Sequence, residues 1–296
     1  MPLSGEVTLS PLEYDRPGVE KQDREGQLPL RSLFITLDAE EDLGTESRKK
    51  TYRGITEGLA LFFDLLDDLG ARATFFFTGE VAQAFPDVLK EAGKKHEIGC
   101  HGINHKAISE FQITERRTYL TQNLGIFQEI QGFRPFGFRA VDFIVDNCLF
   151  ELLEERGFVY DSSVLSAYPR FRLYRGFEGN APQHPYHPSH ENYRKMGSHA
   201  ILEMPIPTIP MINSPWSGTW IRTFGASLYR LSVLIFKPTY ILIAVHSWDF
   251  TNLEGRTRYS RNSGKAFAKI LRDLLSFFHQ RDYDFLTLTE GSKIYQ

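Results

Sequence analysis

Short apolar runs alternate with amphipathic stretches along most of this chain, and this alternation constrains the fold more than any other feature. The apolar runs have the character of buried strands, and they lie at 32–38, 73–78, 97–100, 136–139, 158–163, 201–206, 240–246 and 284–289. Apolar residues recur at helical spacing at 56–69, 81–93 (restarted by Pro86), 113–130, 145–156, 226–236 and 265–279. Because parallel strands need a crossover between them, usually a helix, the pattern predicts a parallel α/β sheet of seven or eight strands.

The size and composition fit a folded protein of this class. A chain of 296 residues is long enough for two domains or for one large α/β barrel. Its 42% hydrophobic and 24% charged residues exclude a disordered or fibrous chain. The formal net charge of −3, with no basic stripe, argues against a nucleic-acid partner. Two cysteines are too few for a disulfide framework or a cysteine-rich zinc site.

Two segments depart from the alternation. Residues 1–28 are polar and punctuated by proline and glycine, which predicts an extended N-terminal arm before a domain at 29–296. Residues 167–199 are rich in proline, histidine, tyrosine and glycine, which predicts a long functional loop inserted in that domain. A second metal site and a surface loop that contacts substrate both remain open for its histidines, which are His184, His187 and His190.

The apolar tracts also bear on location. The N-terminus lacks the apolar core of a signal peptide. The most apolar tract, 228–245, is interrupted by Arg230, Lys237 and Pro238, which predicts that no transmembrane segment is present. A cytoplasmic location is therefore the expectation, and the oligomeric state is not specified by the sequence.

Ionisable side chains follow several predicted strands where each strand ends. They are Asp38 (with Glu40 and Asp42 behind it), His101 and His105, Arg139, Asp161 and His246. In parallel α/β folds the carboxyl ends of the strands meet at one edge, where active sites are built. Ordinary structural roles remain open for each of them: a solvated acidic turn, histidines bonded to the backbone, an ion pair or a loop-capping aspartate.

These residue types suit hydrolysis assisted by a metal ion. Two imidazoles four residues apart, with one carboxylate, can hold a divalent metal and leave positions open for water. Arg139 could pair with Asp38 and orient it. His246 could protonate a leaving group near neutral pH, with Asp161 orienting its ring.

The order of these motifs resembles the polysaccharide deacetylases, the NodB-homology family-four carbohydrate esterases. The segments that carry the resemblance are ITLDAEED, RATFFFTGEVAQAFPDVLKEAGKKHEIGCHGINH, GFRAVDF and IAVHSWDF, which extend it over roughly 32–290. The segments TLDAEE, YDSSV and ILEMPI are most similar to the exosortase-associated branch. The resemblance implies a single-domain, distorted (β/α)7 barrel that hydrolyses N-acetyl groups on amino sugars with a bound metal.

The resemblance also implies roles for individual residues. Asp38 matches the catalytic base, Arg139 the arginine that orients it, and His246 the general acid. His101 and His105 match the two metal-binding histidines. The family's carboxylate ligand directly follows the base, where this chain has Ala39, so Glu40 is expected to replace it, with Asp42 as the second choice. Zinc is the expected metal, and Co, Ni, Mn or Fe would fit the same ligands.

Three functions follow as hypotheses. The first is a deacetylase of an amino sugar in a polysaccharide, oligosaccharide or lipid-linked glycan. The second is a metal-dependent hydrolase of a small or cyclic amide. The third is a glycan-binding protein that keeps the scaffold without catalysis, and the set of Asp38, His101, His105 and His246 argues against it.

Overall fold

The computed structural model describes residues 31–43, 49–169, 179–253 and 260–296. The predicted N-terminal arm at 1–28 and part of the predicted loop insertion, 170–178, lie outside the described residues. The strands are β1 Ser32–Ala39, β2 Thr74–Phe77, β3 Glu97–Cys100, β4 Gly137–Phe138, β5 Tyr160–Asp161, β6 Leu202–Glu203, β7 Thr208–Ile209, β8 Ser214–Pro215, β9 Tyr240–His246 and β10 Asp284–Leu286. The helices are α1 Leu59–Asp68, α2 Gly79–Ala84, α3 Pro86–Lys95, α4 Ile113–Gln131, α5 Asn147–Glu155, α6 Gly218–Phe224, α7 Ala226–Phe236, α8 Lys265–His279 and α9 Leu288–Tyr295.

Parallel strands form a curled sheet in the order β9, β1, β2, β3, β4, β5, β6. The first residues of β1 also pair with β10, on the edge where its last residues pair with β2. The strands β7 and β8 form a separate antiparallel hairpin. The predicted α/β class and the distorted (β/α)7 barrel are thereby confirmed.

The side chains of β1 alternate between two cores, as a strand buried on both faces requires. Leu33, Ile35 and Leu37 pack in the core that includes the surrounding helices. Phe34 instead belongs to the cluster inside the barrel, together with residues such as Leu242. Because strand side chains repeat every two residues, Asp38 lies on the same face as Phe34, at the carboxyl end of the strand.

The last predicted strand is partly wrong. The predicted strand extends over 284–289, whereas β10 ends at Leu286 and α9 begins at Leu288. Thr287 accepts a hydrogen bond from the Glu290 N–H, and the Glu290 carboxylate accepts one from the Thr287 N–H at 2.9 Å. This reciprocal cap starts a helix, so the capping side chains override the β propensity of the threonines.

Other elements differ in length rather than in place. The runs 136–139, 158–163 and 201–206 form ladders over two residues each, as β4, β5 and β6. The helix α6 and the β7–β8 hairpin are not predicted by the sequence analysis. Pro86 does restart the second predicted helix, because it is the first residue of α3. None of the helices in the described ranges combines the length and apolar character needed to cross a membrane.

Candidate active site

Asp38 and His246 lie side by side on the neighbouring strands β1 and β9. The register of β1 and β9 makes them direct partners, at the carboxyl end of each strand. Asp38 is 1% exposed, and its Oδ2 lies 4.0 Å from His246 Nε2. A carboxylate and an imidazole are therefore held side by side by the sheet itself.

Arg139 supplies the positive charge against Asp38. Its Nη1 donates to Asp38 Oδ1 and to Thr36 Oγ1, both at 2.8 Å. Its Nε and Nη2 donate to the carbonyl and hydroxyl oxygens of Ser162, at 2.8 and 2.9 Å. The guanidinium carbon lies 4.3 Å from the centre of the Phe76 ring. The expected contact with Asp38 is present, and every donor group of this buried side chain has a role in fixing its orientation.

Glu40, His101 and His105 form a compact group of potential metal ligands. Glu40 Oε2 lies 3.2 Å from His101 Nε2 and 2.8 Å from His105 Nε2. One ligand atom from each residue lies within 4.8 Å of the others, and all three side chains are buried. His101 Nδ1 lies 2.9 Å from the Arg139 carbonyl, an acceptor that keeps a proton on Nδ1 and leaves Nε2 as the nitrogen that would bind a metal. Two imidazole nitrogens and a carboxylate oxygen are a donor set that fits a divalent metal.

The electrostatics of this group favour a charged carboxylate. Burial raises the pKa of Glu40, but the His105 charge and hydrogen bonds from both histidines outweigh burial and hold that pKa well below its usual range. Burial lowers the pKa of His105, and the neighbouring Glu40 raises it to about 9. An anionic oxygen is therefore maintained at the point where a cation would bind.

Asp42, the second choice for the carboxylate ligand, has a structural role. Its Oδ2 accepts from the Thr51 hydroxyl and the Arg53 N–H, both at 2.7 Å. Its Oδ1 accepts from the Gly54 N–H at 2.8 Å. Asp42 thus caps the turn that leads into α1, and Glu40 is the carboxylate that lies beside the histidines.

His246 is oriented by Asp249, not by Asp161 as expected from the sequence. Asp249 Oδ2 accepts from the His246 N–H at 2.8 Å and lies 3.4 Å from His246 Nδ1. The buried Arg222 of α6 pairs with Asp249 Oδ1 at 2.9 Å. Burial lowers the pKa of His246, whereas the hydrogen bond to Asp249 and the charge of Glu40 raise it to about 9.

Asp161 belongs to a different buried pair. Its two oxygens accept from the hydroxyl and the N–H of Ser163, at 2.7 and 3.1 Å. It also hydrogen-bonds to Glu203 on β6, and Glu203 accepts from the Val164 N–H at 3.0 Å. Burial raises the pKa of both carboxyl groups, and the charge of Asp161 raises that of Glu203 further. The two groups therefore share a proton.

Two residues of the site, Asp249 and Arg222, were missed by sequence reasoning, and a third, Trp248, contacts both Glu40 and His246. Trp248 Nε1 donates to Glu40 Oε1 at 3.1 Å, and its ring stacks on His246 with centroids 4.4 Å apart. A polar residue three positions after His246 in a turn is a recognisable signal for Asp249. Arg222 has no such signal, because its helix is distant in sequence from the residues that it contacts.

The histidines of the predicted insertion do not form a second group of ligands in the described part of the chain, where the Glu40 group is the one found. His187 Nδ1 lies 2.9 Å from the His199 carbonyl, and the exposed His190 ring packs at a tilt against the His199 ring. The described portion of this loop thus gives its histidines structural contacts.

Comparisons with known proteins agree with this geometry. The family model for polysaccharide deacetylase matches residues 31–157. The peptidoglycan deacetylase-like protein FGM2 of Gibberella zeae is 29% identical over 112 residues, which cover 36% of this chain and 32% of that protein. The chain spans about a third or less of the length of the curated relatives that it matches.

Two solved structures share the fold. A candidate polysaccharide deacetylase from Mycobacterium smegmatis has a TM-score of 0.64 at 17% identity, over 89% of each chain. The Puue allantoinase has a TM-score of 0.62 at 16% identity, over 88% of this chain and 89% of that one. These comparisons show similarity to polysaccharide deacetylases over residues 31–157 and a shared fold over most of the chain.

Proposed function

We propose that this chain, as a relative of the polysaccharide deacetylases, is a metal-dependent hydrolase that removes N-acetyl groups from an amino sugar in a polysaccharide, oligosaccharide or lipid-linked glycan. One observation carries the proposal: Asp38, the Glu40–His101–His105 group and His246 converge at the carboxyl ends of neighbouring strands. An amide hydrolase needs a base, an electrophile and an acid around one carbonyl, and this arrangement supplies a candidate for each.

The cation would be held by His101 Nε2, His105 Nε2 and the Glu40 carboxylate, a set suited to zinc with positions left open. Co, Ni, Mn or Fe would accept the same donors. When bound, the metal supplies a Lewis acid that polarises an amide carbonyl and makes a water molecule more acidic.

Asp38 is the group placed to accept a proton from the attacking water. Its Oδ1 is tied to Arg139, while its Oδ2 lies toward His246. A carboxylate with one oxygen fixed and the other directed into the site is a suitable general base. Arg139 acts through Asp38, because it keeps that oxygen in place and balances its charge.

His246 is the group placed to protonate the departing nitrogen. With a pKa near 9 it carries its proton at neutral pH, and Asp249 stabilises that charged form. Water adds to the carbonyl as Asp38 accepts its proton. The carbon–nitrogen bond then breaks as His246 protonates the nitrogen, which leaves acetate and a free amino sugar.

The finer assignment to the exosortase-associated branch is part of the same proposal. It is supported by the segments TLDAEE, YDSSV and ILEMPI, which carry that resemblance.

The test is a zinc measurement combined with an acetate-release assay on N-acetylglucosamine oligomers. We expect the wild-type chain to bind zinc and release acetate, and His101→Ala to lose both. His190→Ala is the matched control, because it removes an imidazole from the inserted loop and should change neither. Equal zinc binding by wild type and His101→Ala would overturn the assignment of the site.

The same assay separates the other two hypotheses. Turnover of a cyclic amide with no acetate release would replace the glycan by a small amide as substrate. Binding of the oligomers with neither zinc nor acetate release would replace the enzyme by a glycan-binding protein.

A further inference from the structure

Trp248 contacts the carboxylate that would bind the metal. It lies in the turn directly after β9, is 4% exposed, and donates from Nε1 to Glu40 Oε1 at 3.1 Å. An indole nitrogen is a donor only, so it cannot compete with Glu40 for a cation. It can only hold the carboxylate that does bind.

The two carboxylate oxygens of Glu40 have different neighbours. Oε1 accepts from the indole, whereas Oε2 lies against the Nε2 atoms of His101 and His105. A ligand whose second atom is hydrogen-bonded by an outer residue is oriented for the metal before the metal arrives. The geometry at Glu40 has this form.

Glu40 needs such support more than a shorter ligand in a strand would. It stands one residue beyond Ala39, the last residue of β1, and its side chain has more rotatable bonds than an aspartate. Fixing a glutamate side chain costs free energy in lost rotamer freedom. A hydrogen bond formed in the folded protein offsets that cost before the metal binds.

The turn that carries Trp248 is itself held closely. Two glycines pack directly against its backbone. A Cβ on Gly54 would lie 2.5 Å from the backbone nitrogen of Trp248, and one on Gly58 would lie 2.7 Å from the carbonyl oxygen of Ser247. The indole ring stacks on the His246 ring, with the ring centroids 4.4 Å apart and an interplanar angle of 17°. The guanidinium carbon of Arg222 lies 5.6 Å from the centre of the indole ring. Trp248 is therefore a rigid donor rather than a mobile one.

We infer that Trp248 is a positioning residue that holds Glu40 ready for the cation and links this ligand to the turn of His246. The inference rests on the proposed function, since it assumes that the Glu40 group binds a metal. It assigns to an aromatic residue of the HSWD segment a role in metal affinity.

The test is Trp248→Phe, which keeps an aromatic ring against His246 and removes the N–H. Competition of the whole protein with a chromophoric chelator for zinc gives the affinity. We expect zinc to bind about 10- to 100-fold more weakly, the usual loss for an outer-shell partner. Trp216→Phe is the matched control, because Trp216 packs against Tyr229 and Phe278 and should leave the affinity unchanged.

A double-mutant cycle with Glu40→Gln tests the contact itself. If Trp248 acts through Glu40, Trp248→Phe should weaken zinc binding far less in the Glu40→Gln background than in the wild type. An equal loss in both backgrounds would overturn the inference.

A second measurement leaves Trp248 intact. The chain has three tryptophans, so in a Trp216→Phe, Trp220→Phe variant all tryptophan emission comes from Trp248. Zinc should change that emission with the same midpoint as the chelator titration, and an unchanged emission at saturating zinc would overturn the inference.

The failures are distinguishable. If wild type and His101→Ala bind zinc equally, the proposed function fails. If His101→Ala loses zinc while folded Trp248→Phe keeps wild-type affinity, only the role of Trp248 fails.

Discussion

Two buried carboxyl groups, Glu40 and Glu203, have neighbours that give them opposite charge states. Glu40 faces two imidazoles, and its pKa lies well below the usual range. Glu203 faces Asp161, and the pKa of Glu203 lies well above its usual range. Both side chains are almost completely buried, so burial alone does not decide the difference.

The difference shows what makes a buried carboxylate able to bind a cation. Removing a carboxylate from water favours its protonated form, and a second carboxylate reinforces that preference. Imidazoles reverse it, because they can donate hydrogen bonds and carry positive charge. A cation could replace the protons at Glu40, whereas Asp161 and Glu203 already satisfy each other with one shared proton.

The largest expected effect comes from the same substitution made at both places. Glu40→Gln should weaken zinc binding by at least about 100-fold, more than the loss of an outer-shell partner, because an anionic ligand is removed. Glu203→Gln should leave zinc affinity unchanged, because that carboxyl is already neutral. Competition with a chelator measures the zinc affinity of both variants. An equal loss of affinity in the two would contradict the difference in charge state between Glu40 and Glu203.

Asp38→Asn should reduce kcat/KM for acetate release by about 10²- to 10⁴-fold, the usual contribution of a general base. Zinc content should stay at the wild-type level, because Asp38 contacts Arg139 rather than the Glu40 group. Acetate release and zinc content, measured together, distinguish the carboxylate that accepts a proton from the carboxylate that would bind the metal. Retained activity in this variant would remove Asp38 as the base.

Asp249→Asn should move the alkaline limb of the pH–rate profile to lower pH. His246 must be protonated to act as an acid, so activity is lost as the pH rises through its pKa, which Asp249 helps to raise to about 9. Losing a charge-assisted hydrogen bond corresponds to about one pH unit. Asp64→Asn, an exposed change on α1, is the control, and an unmoved alkaline limb would contradict the pairing of His246 with Asp249.

The smallest effect is expected on stability at the neutral carboxyl pair. A raised folded-state pKa gives Glu203 a stability contribution that is complete below the unfolded value near 4.5 and decreases as the pH rises. Glutamine does not titrate, so Glu203→Gln should gain about 1 kcal/mol or more relative to wild type between pH 5 and pH 8. Thermal unfolding of both proteins at pH 5 and pH 8 measures this difference in stability. If Glu203→Gln instead lost stability relative to wild type as the pH is raised, Glu203 would be ionised in the folded protein.

The positions of the ionisable residues were predictable because parallel strands bring their carboxyl ends together. Asp38, His101, Arg139 and His246 could be placed on one edge from the strand pattern alone. The choice of Glu40 over Asp42 followed from the resemblance, and in the structure Glu40 lies beside the histidines whereas Asp42 caps a turn. Periodicity therefore located the site, although it could not assign each contact.

The contacts that were mispredicted depend on side chains from elements distant in sequence. Asp161 was paired with His246, whereas the ladder of β5 with β6 brings it to Glu203. Arg222 reaches Asp249 from α6, a helix that the apolar pattern did not reveal. Gly218 of that helix lets the two approach, since a Cβ there would lie 2.2 Å from Asp249 Oδ2. Local spacing in the sequence does not predict such tertiary contacts.

The register that joins Asp38 to His246 has a consequence for thermal inactivation. Their backbones belong to a ladder that runs the length of β1 and β9. The distance between them cannot widen while the ladder is intact, and a loop that opens at the rim would leave it unchanged. Catalytic competence on heating should therefore disappear together with the slowest-exchanging amides of β1, and not in an earlier step of its own.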